Sequence, residues 1–345
     1  MAKDGTHGFI MVKTFNLEEK RLKKEIIKKG ARRVLIQLPE GLKANAQRLA
    51  SVVEKARATA IISADPCYGA CDLALFEAEN LGVDLIVHYG HSEMIKQGRT
   101  PTIYVVARAK IDAKEVISKA KPLLNSWKTI GLVTTIQHVH ILDKIEKLLK
   151  NMGKEVLIGN PRGQVMYAGQ VTGCNYASAS KISRDVDGFL FIGGGRLHGI
   201  GVALATAKPV VISDPFEKRA YAVDNDVKKI LKQRWASILK AREEKSFGVI
   251  IGLKSGQEKL SKAFEVKKKL DKSGRKTTLL ALREITPEAL MQFPNINAFI
   301  NTACPCVAIY NASNFLKPVL NVNEALVMLG EMNWEELYCG GWFTN

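Results

Sequence analysis

The sequence predicts an α/β protein of three similar parallel-sheet domains arranged around a central site. Short runs of β-branched and aliphatic residues alternate with longer amphipathic segments along the chain, a pattern typical of parallel strands joined by helices. The short runs also form three groups that share the order strand, helix, strand, connection, strand. The chain has 345 residues and 46% of them are apolar, so two or three folded domains are expected.

Strands are predicted wherever these apolar runs occur. They are Val34–Leu38, Ala60–Ala64, Leu85–His88, Ile103–Ala107, Ile130–Thr134, Val156–Ile158, Gly188–Ile192, Val210–Ile212, Phe247–Leu253, Thr277–Ala281 and Ala298–Asn301. Helices are expected between them. One helix is marked by Ile141, Ile145, Leu148 and Leu149 at helical spacing, with Gly153 as its stop.

The three groups of strands predict the domain boundaries. The first group contains VLIQLP, IISAD and DLIVHYG, the second IGLVTT, VLIGN and GFLFIGGG, and the third GVIIGL, TTLLAL and INAFINTA. Identity between the groups is low, so the repeat rests on their common pattern. We expect domains at 1–121, 122–245 and 246–345, with boundaries near Lys121 and Lys245.

Composition limits the compartment and the partners. No run approaches the roughly 18 apolar residues of a membrane span, and a secretory leader is not recognisable. A cytoplasmic protein without a membrane partner is therefore expected, and its six cysteines should be thiols or metal ligands. The net charge of +17 favours anionic partners. The lysine-rich runs, however, match solvated helix faces and have few interleaved aromatic residues.

Three cysteines follow predicted strands in the three groups. Cys71 and Cys174 lie in comparable connections of the first two groups, and Cys304 follows the last strand of the third. Open α/β sheets build their ligand sites beyond the carboxyl ends of parallel strands. Each cysteine lies in a turn-rich context with small or polar neighbours. One shared central site therefore requires one loop from each domain.

Thiolate ligands suit an iron-sulfur cluster, because soft sulfur donors match iron in this form. Three thiolates on a [4Fe-4S] cluster leave one iron open to bind a substrate, as the open position does in catalytic zinc sites. Cysteines buried in hydrophobic cores are the alternative. A zinc site made by Cys67 and Cys71 with Cys304 and Cys306 is a further alternative, although its spacing is unusual.

Two further observations concern the cysteines. Cys339 has no evident partner, so we interpret it as structural. The compact C-x3-C-x2-C triad of conventional radical S-adenosylmethionine enzymes is absent, since Ala74 stands at its third position. Radical chemistry in this chain would therefore use a different scaffold.

Several motifs together resemble the archaeal-type first enzyme of diphthamide biosynthesis, the 2-(3-amino-3-carboxypropyl)histidine synthase family, over nearly the whole chain. They are Gln37-Leu38-Pro39-Glu40-Gly41-Leu42, Tyr68-Gly69-Ala70-Cys71-Asp72, Gly173-Cys174, Gly193 to His198, Asn301 to Pro305 and Pro318-Val319-Leu320. The Tyr-Gly-Ala-Cys turn is the most specific of them.

The resemblance implies a homodimer in which Cys71, Cys174 and Cys304 hold a [4Fe-4S] cluster. It implies reductive cleavage of the bond between sulfur and the γ-carbon of S-adenosylmethionine, giving methylthioadenosine and a 3-amino-3-carboxypropyl radical. The radical adds to C2 of a histidine imidazole of translation elongation factor 2. An electron donor, not identifiable from the sequence, is implied as well, whereas nucleic acid is not required. Orientation of the co-substrate decides which carbon is released, and no acid-base pair is needed for that step.

Two departures from the family pattern affect the expected substrate contacts. The stretch that resembles Gly-Asp-Gly-Arg-Phe-His is here Gly193-Gly194-Gly195-Arg196-Leu197-His198, so Gly194 replaces an acidic residue. Cys306 stands where arginine commonly follows the third motif's Cys-Pro.

Five residues are predicted to contact S-adenosylmethionine. Backbone amides at Gly193 and Gly195 are expected near its carboxylate or ribose, and Arg196 is expected to clamp the carboxylate. His198 would orient the ligand or assist proton loss from the modified imidazole, and Glu40 would face the site. A tight turn, a surface arginine, a hydrogen-bonded histidine and a solvated glutamate are the respective structural alternatives.

Four other histidines are not predicted to bind metal, because no cysteine or carboxylate stands near them at ligand spacing in the sequence. They are His88, His91, His138 and His140. The rival functional hypothesis is a basic nucleic-acid or ribosome-associated binding protein with core cysteines or a structural zinc, supported by the net charge.

Overall fold

The computed structural model describes residues 14–95, 98–163 and 165–343, and it confirms the α/β class. Three sheets of parallel strands dominate this part of the chain. A two-stranded antiparallel ribbon pairs Phe15–Asn16 with Arg108–Ala109.

The three sheets share one strand order. From edge to edge, the first sheet contains Thr59–Ile62, Arg33–Gln37, Leu85–Tyr89 and Thr102–Val105. The second contains Glu155–Leu157, Thr129–Thr134, Gly188–Ile192 and Val210–Asp214, with Arg219–Ala222 added antiparallel at the edge. The third contains Lys276–Leu282, Ser246–Gly252, Ala298–Asn301 and Val319–Asn321. In each sheet the first strand in sequence lies between the second and the third.

Helices cover these sheets, and the central strands are buried on both faces. Their bounds are Glu19–Lys29, Ala46–Glu54, Leu75–Asn80, Ala113–Ala120, Leu142–Asn151, Ala177–Ile182, Leu197–Thr206, Asp224–Arg242, Leu260–Lys272, Pro287–Met291, Cys306–Asn311, Val322–Leu329 and Trp334–Glu336. Every residue of Leu85–Tyr89, Gly188–Ile192 and Ala298–Asn301 is buried. Burial on both faces explains why these strands are continuous apolar runs.

The helix predicted from Ile141 to Leu149 is present as Leu142–Asn151, preceded by a 3-10 turn over Ile136–Ile141. Its inward stripe includes Leu142, Ile145 and Leu149. Gly153 adopts a φ of +76°, the left-handed conformation that follows many helices.

Equivalent aspartates in the first two sheets add to the likeness between them. Asp84 accepts hydrogen bonds from the backbone N–H groups of Arg32 and Arg33 at 2.9 and 2.8 Å. Asp187 accepts from Lys128 and Thr129 at 2.6 and 2.8 Å. In both cases an aspartate before the third strand holds the start of the first strand, and these bonds lower the pKa of each carboxyl group.

The shared strand order is compatible with the three-domain division, which stays a prediction. The packing crosses the predicted boundaries. Helix Ala113–Ala120, assigned to the first domain by a boundary at Lys121, packs in one core with Ile130 and Leu190 of the second sheet. A larger core joins the second and third sheets, for example through Phe191 and Val249. Among the described residues, no helix combines the length and apolar character required to cross a membrane.

Candidate functional site

Cys71 lies in the connection after strand Thr59–Ile62 and is held by a loop that follows the first strand of the third sheet. The Gly256 N–H donates to the Cys71 carbonyl at 2.8 Å, and Gln257 Nε2 donates to the Cys71 sulfur at 3.3 Å. A Cβ added at Gly256 would lie 2.7 Å from the Cys71 Cα. The two loops therefore approach so closely that residue 256 must be glycine.

Lys254 fastens the same pair of loops by charge. Its Nζ lies 3.0 Å from Asp72 Oδ2 and 2.7 Å from Glu284 Oε1, and it stands 4.0 Å from the ring centroid of Tyr68. Lys254 and Asp72 are both buried, where such pairing is needed to offset the loss of hydration. The sequence did not predict that segment 254–257 contacts Cys71, because the two are far apart in the chain and no motif links them.

Cys174 lies in a tight turn closed by hydrogen bonds between Thr172 and Asn175. It opens on a cleft of about 1020 Å³. The cleft's polar and basic lining includes Asn160, Arg162 and Lys181, and its aromatic lining includes Tyr176 and Phe343.

Cys304 and Cys306 lie where strand Ala298–Asn301 turns into helix Cys306–Asn311. Asn301 Nδ2 donates to the Cys304 carbonyl at 2.7 Å, which fixes the turn. The Cys306 sulfur lies 3.0 Å from the Gly173 carbonyl and also within hydrogen-bond reach of Cys304, and its single proton can be donated to either one of them. The third segment thereby contacts the Cys174 turn.

The three predicted ligand thiols lie near one another. Cys174 and Cys304 both affect the pKa of Cys71, and Cys304 affects the pKa of Cys174. The pKa of Cys71 is raised to about 12, mainly by burial and in part by Cys304 and Cys174, while the hydrogen bond from Gln257 lowers it. Burial and then Cys304 raise the pKa of Cys174. The hydrogen bond from Cys306 has the largest effect on Cys304, whose pKa is lowered to about 7, with Lys254 and Lys259 contributing.

This donor set fits an iron-sulfur cluster. Three thiols meet from three segments, and positive charges near Cys304 and Cys174 favour the thiolate form that binds metal. Each ligand of a cubic cluster binds a different iron, so these sulfurs need not be within reach of a single ion. The zinc site that would join Cys67 with Cys71, Cys304 and Cys306 stays an untested alternative. In the structure, the Cys67 sulfur lies within 4.8 Å of ring nitrogens of His88 and His91.

The residues predicted to contact S-adenosylmethionine are not among those that line the Cys174 cleft. Arg196 is half exposed, pairs with Asp226 at 2.5 Å and lies over the Tyr221 ring. Glu40 is exposed and pairs with Lys43 at 2.7 Å. Both placements match the structural alternatives.

The glycine run from 193 to 195 forms a turn after the buried strand Gly188–Ile192. Gly195 has a φ of +76°, and its N–H donates to Asp214 Oδ2 at 3.0 Å. That amide is therefore already engaged. Gly193 lies against Phe191, where an added Cβ would come within 2.9 Å of the ring.

His198 lies at the start of helix Leu197–Thr206 and stacks on Phe191 at 5.9 Å. Burial lowers the pKa of His198 to about 4, so the imidazole is neutral near pH 7. It lies close enough to His91 and His138 to lower the pKa of each further. The preceding Leu197 carbonyl accepts a hydrogen bond from Tyr310 at 3.0 Å.

The argument from sequence spacing against His88 and His91 does not hold in the folded chain. A cysteine does stand within ligand distance of both, because the fold brings Cys67 to them across 21 residues of sequence from His88. Cys67 and His88 are buried and His91 is partly buried. Spacing along the chain could not reveal this group.

Three parallel α/β sheets bring one thiol each to a shared, lysine-flanked site, an arrangement of donors that suits a metal-cluster protein. A family model described as "Putative diphthamide synthesis protein" matches residues 38–339. The chain belongs to the diphthamide synthesis family, as its motifs predicted.

The relatives agree with this assignment. The chain is 38% identical to 2-(3-amino-3-carboxypropyl)histidine synthase of Pyrococcus horikoshii over 92% of each chain. It is 31% identical to subunit 1 of the Schizosaccharomyces pombe synthase, over 95% of this chain and 77% of that one. The expected enzyme class, a transferase of this synthase type, is confirmed by these names.

Solved structures match the fold as well. A crystal structure of Dph2 from Pyrococcus horikoshii superposes with a TM-score of 0.85 at 36% identity, over 92% of each chain. A second structure of that protein, with a 4Fe-4S cluster, matches equally.

Proposed function

We propose that this protein transfers a 3-amino-3-carboxypropyl group from S-adenosylmethionine to C2 of a histidine imidazole of translation elongation factor 2. This would be the first step of diphthamide synthesis. The observation that carries the proposal is the meeting of Cys71, Cys174 and Cys304 in one site. The names of the relatives, and the cluster in the Dph2 structure, support the same chemistry.

Cys71, Cys174 and Cys304 would hold the [4Fe-4S] cluster. When bound and reduced, the cluster supplies the electron that breaks the bond between sulfur and the γ-carbon of S-adenosylmethionine. The 254–257 loop holds Cys71 in place, the Thr172–Asn175 turn holds Cys174, and Asn301 holds Cys304.

The cleft beside Cys174 is the proposed approach for S-adenosylmethionine. Arg162 and Lys181 line it and would bind the carboxylate of the methionyl part. Tyr176 and Phe343 supply apolar surface for the adenosyl part. Five residues outside this cleft, predicted from the sequence, remain proposed contacts of S-adenosylmethionine. They are Gly193, Gly195, Arg196, His198 and Glu40.

The protein is further proposed to act as a cytoplasmic homodimer served by a separate electron donor, without nucleic acid. The rival function as a basic binding protein is favoured only by the net charge of +17. That charge also suits the docking of an anionic protein surface.

Anaerobic reconstitution tests the proposal. We expect about four irons and four sulfides per chain, lost in Cys174→Ala and retained in the matched control Cys339→Ala. Cys339 is exposed in the described structure, so its loss should be neutral. A colourless wild-type protein would favour the rival function.

The products test the bond that breaks. With reductant and S-adenosylmethionine, the main nucleoside should be methylthioadenosine. Elongation factor 2 should gain the mass of one aminocarboxypropyl group at a histidine. Mainly 5′-deoxyadenosine would contradict the proposed bond selection, and an unmodified elongation factor would remove it as the substrate.

A further inference from the structure

A second group of metal-binding side chains lies beside the cysteine site. The sulfur of Cys67 and ring nitrogens of His88 and His91 all lie within 4.8 Å of one another. His88 is the penultimate residue of the buried strand Leu85–Tyr89 of the first sheet, and His91 follows that strand by two residues. Cys67 comes from the connection after strand Thr59–Ile62, which is separated from Leu85–Tyr89 by the central strand Arg33–Gln37. The carboxyl edge of one sheet therefore assembles the group.

Gln37 determines which nitrogen of His88 is free. It pairs with His88 in the register of adjacent strands, and its amide orientation is defined by two contacts. Its Nε2 donates to the Asp72 carbonyl at 2.6 Å, and its Oε1 accepts from the Ala74 N–H at 3.1 Å. His88 Nδ1 lies 2.8 Å from that oxygen, so it must carry the proton. His88 Nε2 therefore presents a lone pair.

This lone pair points at His91, and the Cys67 sulfur lies within 4.8 Å of it. His91 Nδ1 lies 2.9 Å from His88 Nε2, which in the metal-free protein is a hydrogen bond donated by His91. Burial raises the pKa of Cys67 to about 12, and a hydrogen bond from the backbone N–H of Gly69 opposes that rise, so the sulfur is a thiol whose proton a metal ion must displace. The Gln37 carboxamide that orients His88, and the Gly69 N–H on the Cys67 sulfur, are supporting contacts of the kind that metal ligands have.

We propose that Cys67, His88 and His91 bind one divalent metal ion, for which zinc is the best match. Thiolate and imidazole donors select zinc over magnesium or calcium. Tetrahedral zinc, with bonds of about 2.0–2.3 Å, places its ligand atoms roughly 3.3–3.7 Å apart. The two imidazole nitrogens, 2.9 Å apart in the metal-free protein, would separate by a few tenths of an ångström to admit the ion. Three protein ligands leave a fourth position for water.

Binding requires only proton movements. The Cys67 thiol gives one proton to solvent as its sulfur bonds the ion. The proton on His91 Nδ1 moves to Nε2 of the same ring, so that His88 Nε2 and His91 Nδ1 each form one bond to the metal. No electron is transferred, and the ion stays divalent.

The consequence of this site would be structural support for the Cys71 loop. Cys67 lies four residues before Cys71, and Gln37 binds the carbonyl of the adjoining Asp72. Lys254 ties the loop to the third segment, whereas the ion would tie it to the first sheet. The loop would then be fixed from both sides.

Metal analysis of the full-length protein with its cluster reconstituted tests this proposal. Zinc and iron are measured in the same sample, after incubation with Zn²⁺ alone and removal of the excess. We expect one zinc per chain beside the iron. Cys67→Ala and His91→Ala should lower the bound zinc at least tenfold, while Cys339→Ala and His140→Ala serve as matched controls and should retain it. Gln37→Leu should weaken zinc binding roughly 10- to 100-fold, because it removes the support of His88.

X-ray absorption at the zinc edge distinguishes this site from zinc in the cluster thiols. One sulfur and two imidazole nitrogens support the proposal, whereas three or more sulfurs overturn it. Wild-type protein that retains no zinc also overturns it, whatever its iron content. Both readings use the unmodified chain, so they stand even if a variant fails to fold. Iron lost from Cys71→Ala with zinc retained would show that the two sites are separate.

Discussion

At the scale of single residues, Cys306 is the clearest departure from the family pattern. Its sulfur lies between the Gly173 carbonyl and Cys304, and it is the main reason why the pKa of Cys304 is about 7. A thiol with a lowered pKa is ionised more readily and is ready to bind metal. Cys306 therefore prepares its neighbour for cluster assembly.

Replacing Cys306 with alanine should raise the pKa of Cys304, because the hydrogen bond that lowers this pKa is lost while burial still raises it. The thiolate is the reactive form, and its fraction at pH 7 falls as the pKa rises. Alkylation of Cys304 in the metal-free protein should therefore slow roughly tenfold at pH 7, and much less at pH 9. Mass spectrometry of the Cys304 peptide after timed iodoacetamide treatment measures this. An unchanged rate at pH 7 would show that Cys306 does not control its neighbour, and Cys339→Ala provides the control.

Gly256 supports a second prediction at this scale. An alanine there would place its Cβ 2.7 Å from the Cα of Cys71, so one of the two loops must move. We expect Gly256→Ala to retain less than half of the wild-type iron after reconstitution. Gly274→Ala is the control, because Gly274 has a φ of +78° but no neighbour within 4 Å of an added Cβ. It should lower the melting temperature slightly and leave the iron content unchanged. Equal iron in both variants would contradict the close approach.

The sequence predicted the three thiols of the site but not their surroundings. Cys71, Cys174 and Cys304 each follow a recognisable strand, so their convergence could be inferred from α/β topology. The loop of Lys254 and Gln257 could not, because its contacts with Cys71 depend on how two sheets pack. The group around His88 was dismissed for the same reason.

At the scale of secondary structure, the predicted strands match the observed ones to within one or two residues at most ends. Two strands of the large sheets were missed, Arg219–Ala222 and Val319–Asn321. The first is an edge strand with exposed residues at both ends and no apolar run. The second has three residues, too few for an alternating pattern. The hydrophobic pattern of the sequence therefore predicts edge strands less well than central strands.

A buried ion pair joins two helices that the sequence did not associate. Arg234 of helix Asp224–Arg242 binds Glu324 of helix Val322–Leu329 through two contacts of 2.6 and 2.7 Å, and both side chains are 1% exposed. Arg234 also donates to the Val319 carbonyl. Glu324 also accepts a hydrogen bond from the backbone N–H of Asn321, the residue just before its helix.

Arg234→Met should lower the free energy of unfolding by about 3–5 kcal/mol, because it leaves the Glu324 carboxylate buried without its partner. The double variant Arg234→Met with Glu324→Gln should recover much of this loss, since the neutral amide costs less to bury and still accepts from Asn321. Urea unfolding measures both variants. A single variant within about 1 kcal/mol of the wild type would mean that water reaches the carboxylate.

At the scale of the whole molecule, the repeated strand order explains how distant cysteines meet. Each sheet presents the carboxyl ends of its strands to a common centre, and the connection or turn beyond them carries one proposed ligand. Contacts between the segments are polar at the site, through Lys254 with Asp72 and through Cys306 with Gly173. Elsewhere the second and third sheets share an apolar core.

Cluster binding should therefore stabilise the three segments together. A ligand that binds only the folded state raises stability in proportion to its affinity, and ligands from three segments couple their opening. We expect reconstitution to raise the melting temperature of the wild type, and removal of iron by a chelator to reverse the change. Cys71→Ala, Cys174→Ala and Cys304→Ala should each abolish it, and Cys339→Ala should not.

Hydrogen exchange shows whether this stabilisation is shared. Because each thiolate would hold a different corner of one cluster, the turns around Cys71, Cys174 and Cys304 should all gain protection on reconstitution. A single cysteine variant should lose the added protection in all three turns, including the two whose sequence is unchanged. Exposed helix Glu19–Lys29, outside the site, should exchange at the same rate in every sample. Protection confined to one turn, or retained in two turns after the third cysteine is removed, would show that the thiols bind metal separately and would exclude a shared cluster.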